Sequence, residues 1–385
     1  MESWESAPFK SVSGLFCSVS FDMKNMEPNR ISAAKTPLNS AGQRRSKSRS
    51  YRQSYRSCLG AASRLCLTPA MTSRRLNTNR KAPELLNIAE RVDAQQLALL
   101  MRTEWQLSYV TPLYQFRYTQ LKSYARQLSA YLTAEKQQGL AVGVDVSLSY
   151  RVTFSVVHGM TQTEVDAETV LIQIYCKPLF GRQDEPPKEV WKGWLTCING
   201  SHDYINSLPK DLTCLPLFGS SKTEALTASV KSWFQKSFDC FFAPLEISHT
   251  ILQWLVALWT NCHAEPNTRQ LQMVWTLPVV PALQVTYAVD PADAWQLWCS
   301  VRRDPQERMT EHDIIDIEEV MRLMKGLMCH FYRHFRVDLS AGTLSQVSTA
   351  LGGAKCSGKI KFLNSNYMTA MLTLLTECAL LKMPI

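Results

Sequence analysis

The run RRSKSRSYRQSYRS, residues 44–57, most limits what this chain can fold into. It sits inside residues 41–81, which hold 11 Lys and Arg and not one Asp or Glu. Like charges at that density repel, and Ser, Arg and Gln leave no apolar face to bury. No periodicity is sustained before residue 85. Residues 1–85 are therefore expected to be a disordered basic tail, suited to nuclear import or to loose contact with DNA phosphates. Folded patterning is expected from Asp93 onward.

The tail also accounts for the charge. The chain of 385 residues has a formal net charge of +9. Residues 1–40 hold four bases and four acids, so residues 82–385 hold 27 bases against 29 acids. A role for the folded part in binding nucleic acid must rest on local patches. The 12 cysteines are irregularly spaced with no C-x-x-C, and MESWESAPFK lacks the basic start and apolar core of a secretory signal. Reduced, mostly buried thiols in a nuclear or cytosolic protein are expected. The longest strongly apolar stretch, Ile251–Trp259, is about half a membrane span.

After Asp93 the patterns alternate between helical and extended. Asp93 reads as the N-cap of a helix through Trp105. Leu121, Tyr124, Ala125, Leu128, Tyr131 and Leu132 form one stripe of a helix over 119–138, stopped by Gly139. Strands are expected at 140–148, 150–157, 168–175, 190–197 and 212–218. Val230, Trp233, Phe234, Phe238 and Phe241 mark a helix that ends near Pro244. Then follow a helix at 249–261, strands at 271–277 and 283–289, and a helix opened by Asp290-Pro291. A long helix is expected from Thr310 to Phe335, with Thr310 and Asp313 as its capping box. A strand at 336–339, a hairpin at 344–362 and an apolar helix at 367–381 complete the chain. Short turns between strands imply antiparallel pairing. The expected class is α+β, with mixed, mainly antiparallel sheets and packed helices. Its parts are the tail, an N-terminal α/β part at 86–265 and a C-terminal sheet-plus-helix part at 266–385.

Few patterns carry chemistry. Gly353-Ala-Lys-Cys-Ser-Gly358-Lys359 spells G-x-x-x-x-G-K, most of a phosphate-binding loop, and admits a nucleotide-binding enzyme. That loop must open a helix and end in a hydroxyl residue, but Lys359-Ile360-Lys361-Phe362 alternates with a period of two. A hairpin with a Gly-rich tip fits better. Cys329, His330 and His334 put two imidazoles on one helix face without a third ligand, so neither a metal nor a cofactor is expected. No catalytic motif stands out. On the hairpin, Ile360 and Phe362 face one way and Lys359 and Lys361 the other. Lys355 in the turn, with Arg333 and Arg336 nearby in sequence, extends the set. Such bases either keep an exposed face soluble or track a phosphate backbone.

Six ordered segments carry a resemblance: WQLSYVTPLYQF at 105–116, AEKQQGLAV at 134–142, DLTCLPLF at 211–218, WFQKSFDCFFAPL at 233–245, HFYRHFRVDLSA at 330–341 and GKIKFL at 358–363. Over about residues 93–385 the chain resembles the vertebrate centromere protein L family. The resemblance implies a non-enzymatic inner-kinetochore subunit in the nucleus, at the centromere. It implies centromere protein N as obligate partner, joined through the C-terminal sheet regions. Contacts with centromere protein C, other network subunits, centromeric DNA and the centromeric nucleosome are also implied, without a membrane or a small-molecule substrate. Leu344, Val347, Tyr367, Met371 and Leu375 become the interface candidates, and Lys359, Lys361, Arg333, Arg336 and Lys355 the DNA-phosphate candidates. A protein adaptor without DNA contact is the other reading.

Overall fold

The computed structural model describes residues 18–22, 76, 78–81, 91–138, 150–176, 186–221, 224–262, 269–302 and 314–383. Most of the expected tail, the strand expected at 140–148, Gly139, Thr310 and Asp313 lie outside them. Two short pieces of residues 1–85 are strands: β1 (Ser18–Asp22) and β2 (Asn79–Lys81). Helix α1 (Ala94–Leu100) is capped by Asp93, whose side chain accepts from Gln95 N. It stops five residues before Trp105, which lies in β3 (Glu104–Val110). After β4 (Leu113–Tyr114), α2 runs over Leu121–Gln138.

Strands β5 (Tyr150–Val157), β6 (Thr169–Cys176) and β7 (Lys188–Thr196) form a meander. Short helix α3 (His202–Ser207), β8 (Leu212–Thr213) and β9 (Leu217–Ser220) follow. Helix α4 (Glu224–Phe238) precedes β10 (Phe242–Pro244). Helix α5 (His249–Asn261), β11 (Leu271–Leu277) and β12 (Leu283–Val289) have the expected bounds. Asp290 caps α6 (Pro291–Val301).

The long late helix begins later than expected. Residues Ile314–Asp316 form β13, paired with β2, and α7 spans Ile317–Phe335. The capping box is Asp316 with Glu319, whose Oε2 accepts from Asp316 N at 3.1 Å. No strand forms at 336–339, because Arg336 takes a left-handed conformation that ends α7. The chain closes with β14 (Thr343–Ser348), β15 (Gly352–Lys355), β16 (Lys359–Phe362) and α8 (Met368–Leu381).

Among the described residues, one 12-stranded sheet dominates, ordered β1-β12-β11-β14-β15-β16-β3-β9-β7-β6-β5, with β10 also on β3. All its pairings are antiparallel. The parts expected on either side of residue 265 share this sheet, because β16 pairs with β3.

Strand alternation divides the apolar residues between the two faces. Trp105, Leu107, Trp194, Trp275, Tyr287, Val347, Ile360 and Phe362 join one core with residues of α5, α6, α7 and α8. Val110, Ile172, Trp191 and Phe218 point the other way, into a second core roofed by α2 and α4. That roof does not extend over β11, β14, β15, β16 and the start of β3. Their outward residues form an open face.

Candidate nucleic-acid interface

The open face is built by register. Lys359 pairs with Lys355 on one side and Gln106 on the other; Lys361 pairs with Gly353 and Glu104. Gln346 pairs with Lys355, Ser348 with Gly353, and Gln272 with Ser348. A shallow cleft of about 770 Å³ is lined by these residues, Gln106 excepted, and by Arg269. Its wall is polar because every second residue points into the core: Ile360 and Phe362 are each 1% exposed, whereas Lys361 is exposed and Lys359 half-buried.

The face is mixed in charge. Lys355 Nζ lies 3.0 Å from Glu104 Oε1, so this lysine is already paired. Asp290 is spoken for as well, since its Oδ1 accepts from Ala292 N at 2.9 Å. Lys359, Lys361 and Arg269 make no ion pair among the described residues. At Gly353 a Cβ would meet nothing closer than 3.7 Å, so the floor there is low and a ligand can approach the backbone.

The glycines do not form a nucleotide loop. Gly352–Lys355 is itself a strand, and Lys359 starts another strand where a phosphate-binding loop needs a helix N-terminus. Nor is the turn a loose tip. Gly358 N donates to Lys355 O at 3.0 Å, and Ile247 N donates to Cys356 O at 3.1 Å. Gln106 Nε2 holds Ser357 O at 2.9 Å. The nucleotide-enzyme reading falls with this geometry.

Arg333 and Arg336 do not join the lysines. Both belong to the end of α7, whose Leu327 and Phe331 pack into the same core as Ile360 and Phe362. The sheet therefore separates α7 from Lys359 and Lys361. Arg336 instead lies 6.0 Å from the Tyr332 ring. The His pair is structural in character: His330 Nδ1 is 2.8 Å from Tyr287 OH, and its ring centre is 4.4 Å from that of His334. Among the described residues no three His, Cys, Asp or Glu side chains gather as a metal site.

The interface candidates are placed inside. Leu344, Val347, Tyr367, Met371 and Leu375 are each at most 2% exposed and belong to the chain's own core. They dock β14 and α8 onto the rest of the fold and present no surface to another chain. The apolar composition of α8 reflects burial on nearly all sides.

Sequence reasoning missed Glu104, Gln106, Arg269, Gln272 and Gln346. The signal for Gln272 was present in the alternation of LQMVWTL. Glu104 was hidden by extending the first helix through Trp105, and Gln106 lay just past that helix with no strand expected around it. Nothing local announces that β3 lies beside β16, more than 250 residues later.

The family profile described as Centromere protein L matches residues 99–380. A zebrafish (Danio rerio) protein named Centromere protein L is 51% identical over 356 residues, covering 92% of this chain and 95% of its own length. The human protein of that name is 40% identical over 304 residues, covering 79% of this chain and 86% of its own. The chicken (Gallus gallus) protein of that name is 42% identical over 292 residues, covering 76% and 83%.

Proposed function

The chain belongs to the centromere protein L family, and from that membership we propose that it is a non-enzymatic scaffold subunit of the inner kinetochore. In this reading it pairs with centromere protein N, meets centromere protein C and other network subunits, and helps grip DNA beside the centromeric nucleosome.

The observation supporting a DNA contact is the open sheet face with Lys359 and Lys361 in neighbouring register positions. Two ammonium groups without carboxylate partners, on a shallow polar wall, suit a phosphate backbone. They offer no rigid fork for reading base edges. Binding would be independent of sequence and driven by counterion release. DNA phosphates would take the place of water and salt on these lysines, while Ile360 and Phe362 anchor the strand from behind.

The test is the double variant Lys359→Glu/Lys361→Glu in the full chain co-expressed with centromere protein N. DNA affinity should fall, and the slope of log affinity against log salt should decrease by about two units. Unchanged affinity at moderate salt would overturn the DNA contact. The pairing itself is read from the family; a chain that gains no stability on co-expression would overturn it. The adaptor reading draws on Glu104, which places a carboxylate on the same face and occupies Lys355. Crosslinking from residue 361 separates the two, since a pure adaptor yields no DNA adduct there.

A further inference from the structure

Helix α4 turns four bulky side chains, Val230, Trp233, Phe234 and Phe238, into the second core. Lys231, next to Val230, reaches toward the sheet at the edge of that roof. Its Nζ donates to Ser108 Oγ at 2.8 Å and stands 5.7 Å from the Phe218 ring and 6.0 Å from the Phe242 ring. It makes no ion pair among the described residues. An ammonium has three donors, and Ser108 takes one. Burial holds the pKa of Lys231 below that of an ordinary lysine. Two aromatic faces offset part of that cost, but no carboxylate does.

The position of Ser108 gives this lysine a direction. Ser108 lies two residues beyond Gln106 on β3 and four beyond Glu104, all on one face of the strand. Gln106 pairs with Lys359 and Glu104 with Lys361. Lys361, Lys359 and Lys231 therefore mark successive steps along one ladder, spread over roughly 13 Å at two residues per step. At the third step Ser108 pairs with Phe218 and Pro244, so its hydroxyl is the polar group there, and the step before it is polar. Ser220, 2% exposed, pairs with Gln106, and Ser108 is 1% exposed.

We infer that Lys231 is a third phosphate contact, which carries the DNA path off the open β16–β3 face and against the flank of α4. The inference rests on the DNA reading above. A phosphate oxygen at the mouth of this corner would take the donors Ser108 leaves free and supply the negative charge that the fold lacks there. Two phosphate contacts on a flat sheet fix a line; a third, on the wall, would fix how the duplex leans.

The experiment uses the full chain co-expressed with the partner proposed above and a duplex of random sequence. Lys231→Met keeps the length and the contacts with Phe218 and Phe242 while removing the charge. Affinity should fall several-fold and the salt slope by about one unit. Lys231→Arg should restore most of both. Amine reactivity of Lys231 in the unmutated protein, read by mass spectrometry after reductive methylation, should drop when DNA is added. Reactivity that DNA leaves unchanged, or an unaltered salt slope in a folded Lys231→Met chain, overturns the inference. If Lys359→Glu/Lys361→Glu weakens binding and Lys231→Met does not, only this inference fails. If the unmutated complex binds no duplex, the DNA reading fails first.

Discussion

Gly358 shows how one residue decides the meaning of a motif. Its φ is +76°, and a Cβ there would stand 2.2 Å from Leu245 O. The glycine is required by a close backbone approach, not by a phosphate. His249 carries a consequence for stability. Its Nδ1 accepts from Leu344 N at 3.0 Å, so the fold needs that nitrogen unprotonated. Burial lowers its pKa below the ordinary 6.5, and burial, His334 and Arg333 lower that of His330. The unfolded chain therefore binds more protons than the fold between the folded and ordinary values. Stability from these imidazoles is complete above the ordinary value and is lost as pH falls through the folded pKa values. The melting temperature should be level above about pH 7 and decline toward about pH 5, before most carboxylates titrate. His249→Asn should flatten that decline while lowering stability at neutral pH. A melting temperature independent of pH over this range would contradict the assignment.

At the scale of the element, α8 was the helix most easily misread. An apolar helix near the chain's end suggests a partner's surface, but here ten of its residues are buried against the molecule itself. Leu375→Ala should cost about 2–5 kcal/mol, as for other large-to-small changes in a core. Denaturant unfolding of the chain without any partner checks this. A cost seen only in the presence of centromere protein N would instead return Leu375 to an interface. Helices α5 and α6 and strands β11 and β12 were legible because local signals agreed: Ser248 and Asp290 accept cap bonds from Ile251 N and Ala292 N, and apolar periods fit each span. The start of α7 was not legible. A plausible cap at Thr310 competed with the true one at Asp316, and the pairing of β13 with β2, over 230 residues away, decided between them.

At the scale of the whole molecule, β3 joins the two halves. Its first residues pair with β16, its last with β10, and its other edge with β9. Arg80 adds a second clasp: its guanidinium lies 2.7 Å from Glu377 and 5.0 Å from the Trp254 ring. Residues 86–265 and 266–385, expressed as separate fragments, should each fail to fold, because each would expose a sheet edge and half of a shared core. Circular dichroism and proton NMR of the two fragments test this. A cooperative melting transition in either one alone would show that the halves are independent.

The sequence by itself determined the α+β class, most element spans, the two-faced character of Lys359–Phe362 and the family. All of these depend on local periodicity, capping chemistry or stretches of contiguous residues. Only the tertiary structure decided which cations share a face and which apolar residues remain available. Lys359 and Lys361 met Glu104, Gln106 and Arg269 instead of Arg333 and Arg336, because a sheet has two sides and α7 covers the other one. Leu344, Val347, Tyr367, Met371 and Leu375 went to the core for the same reason. Alternation states that a strand has two faces, but only the assembled layers determine which one meets solvent.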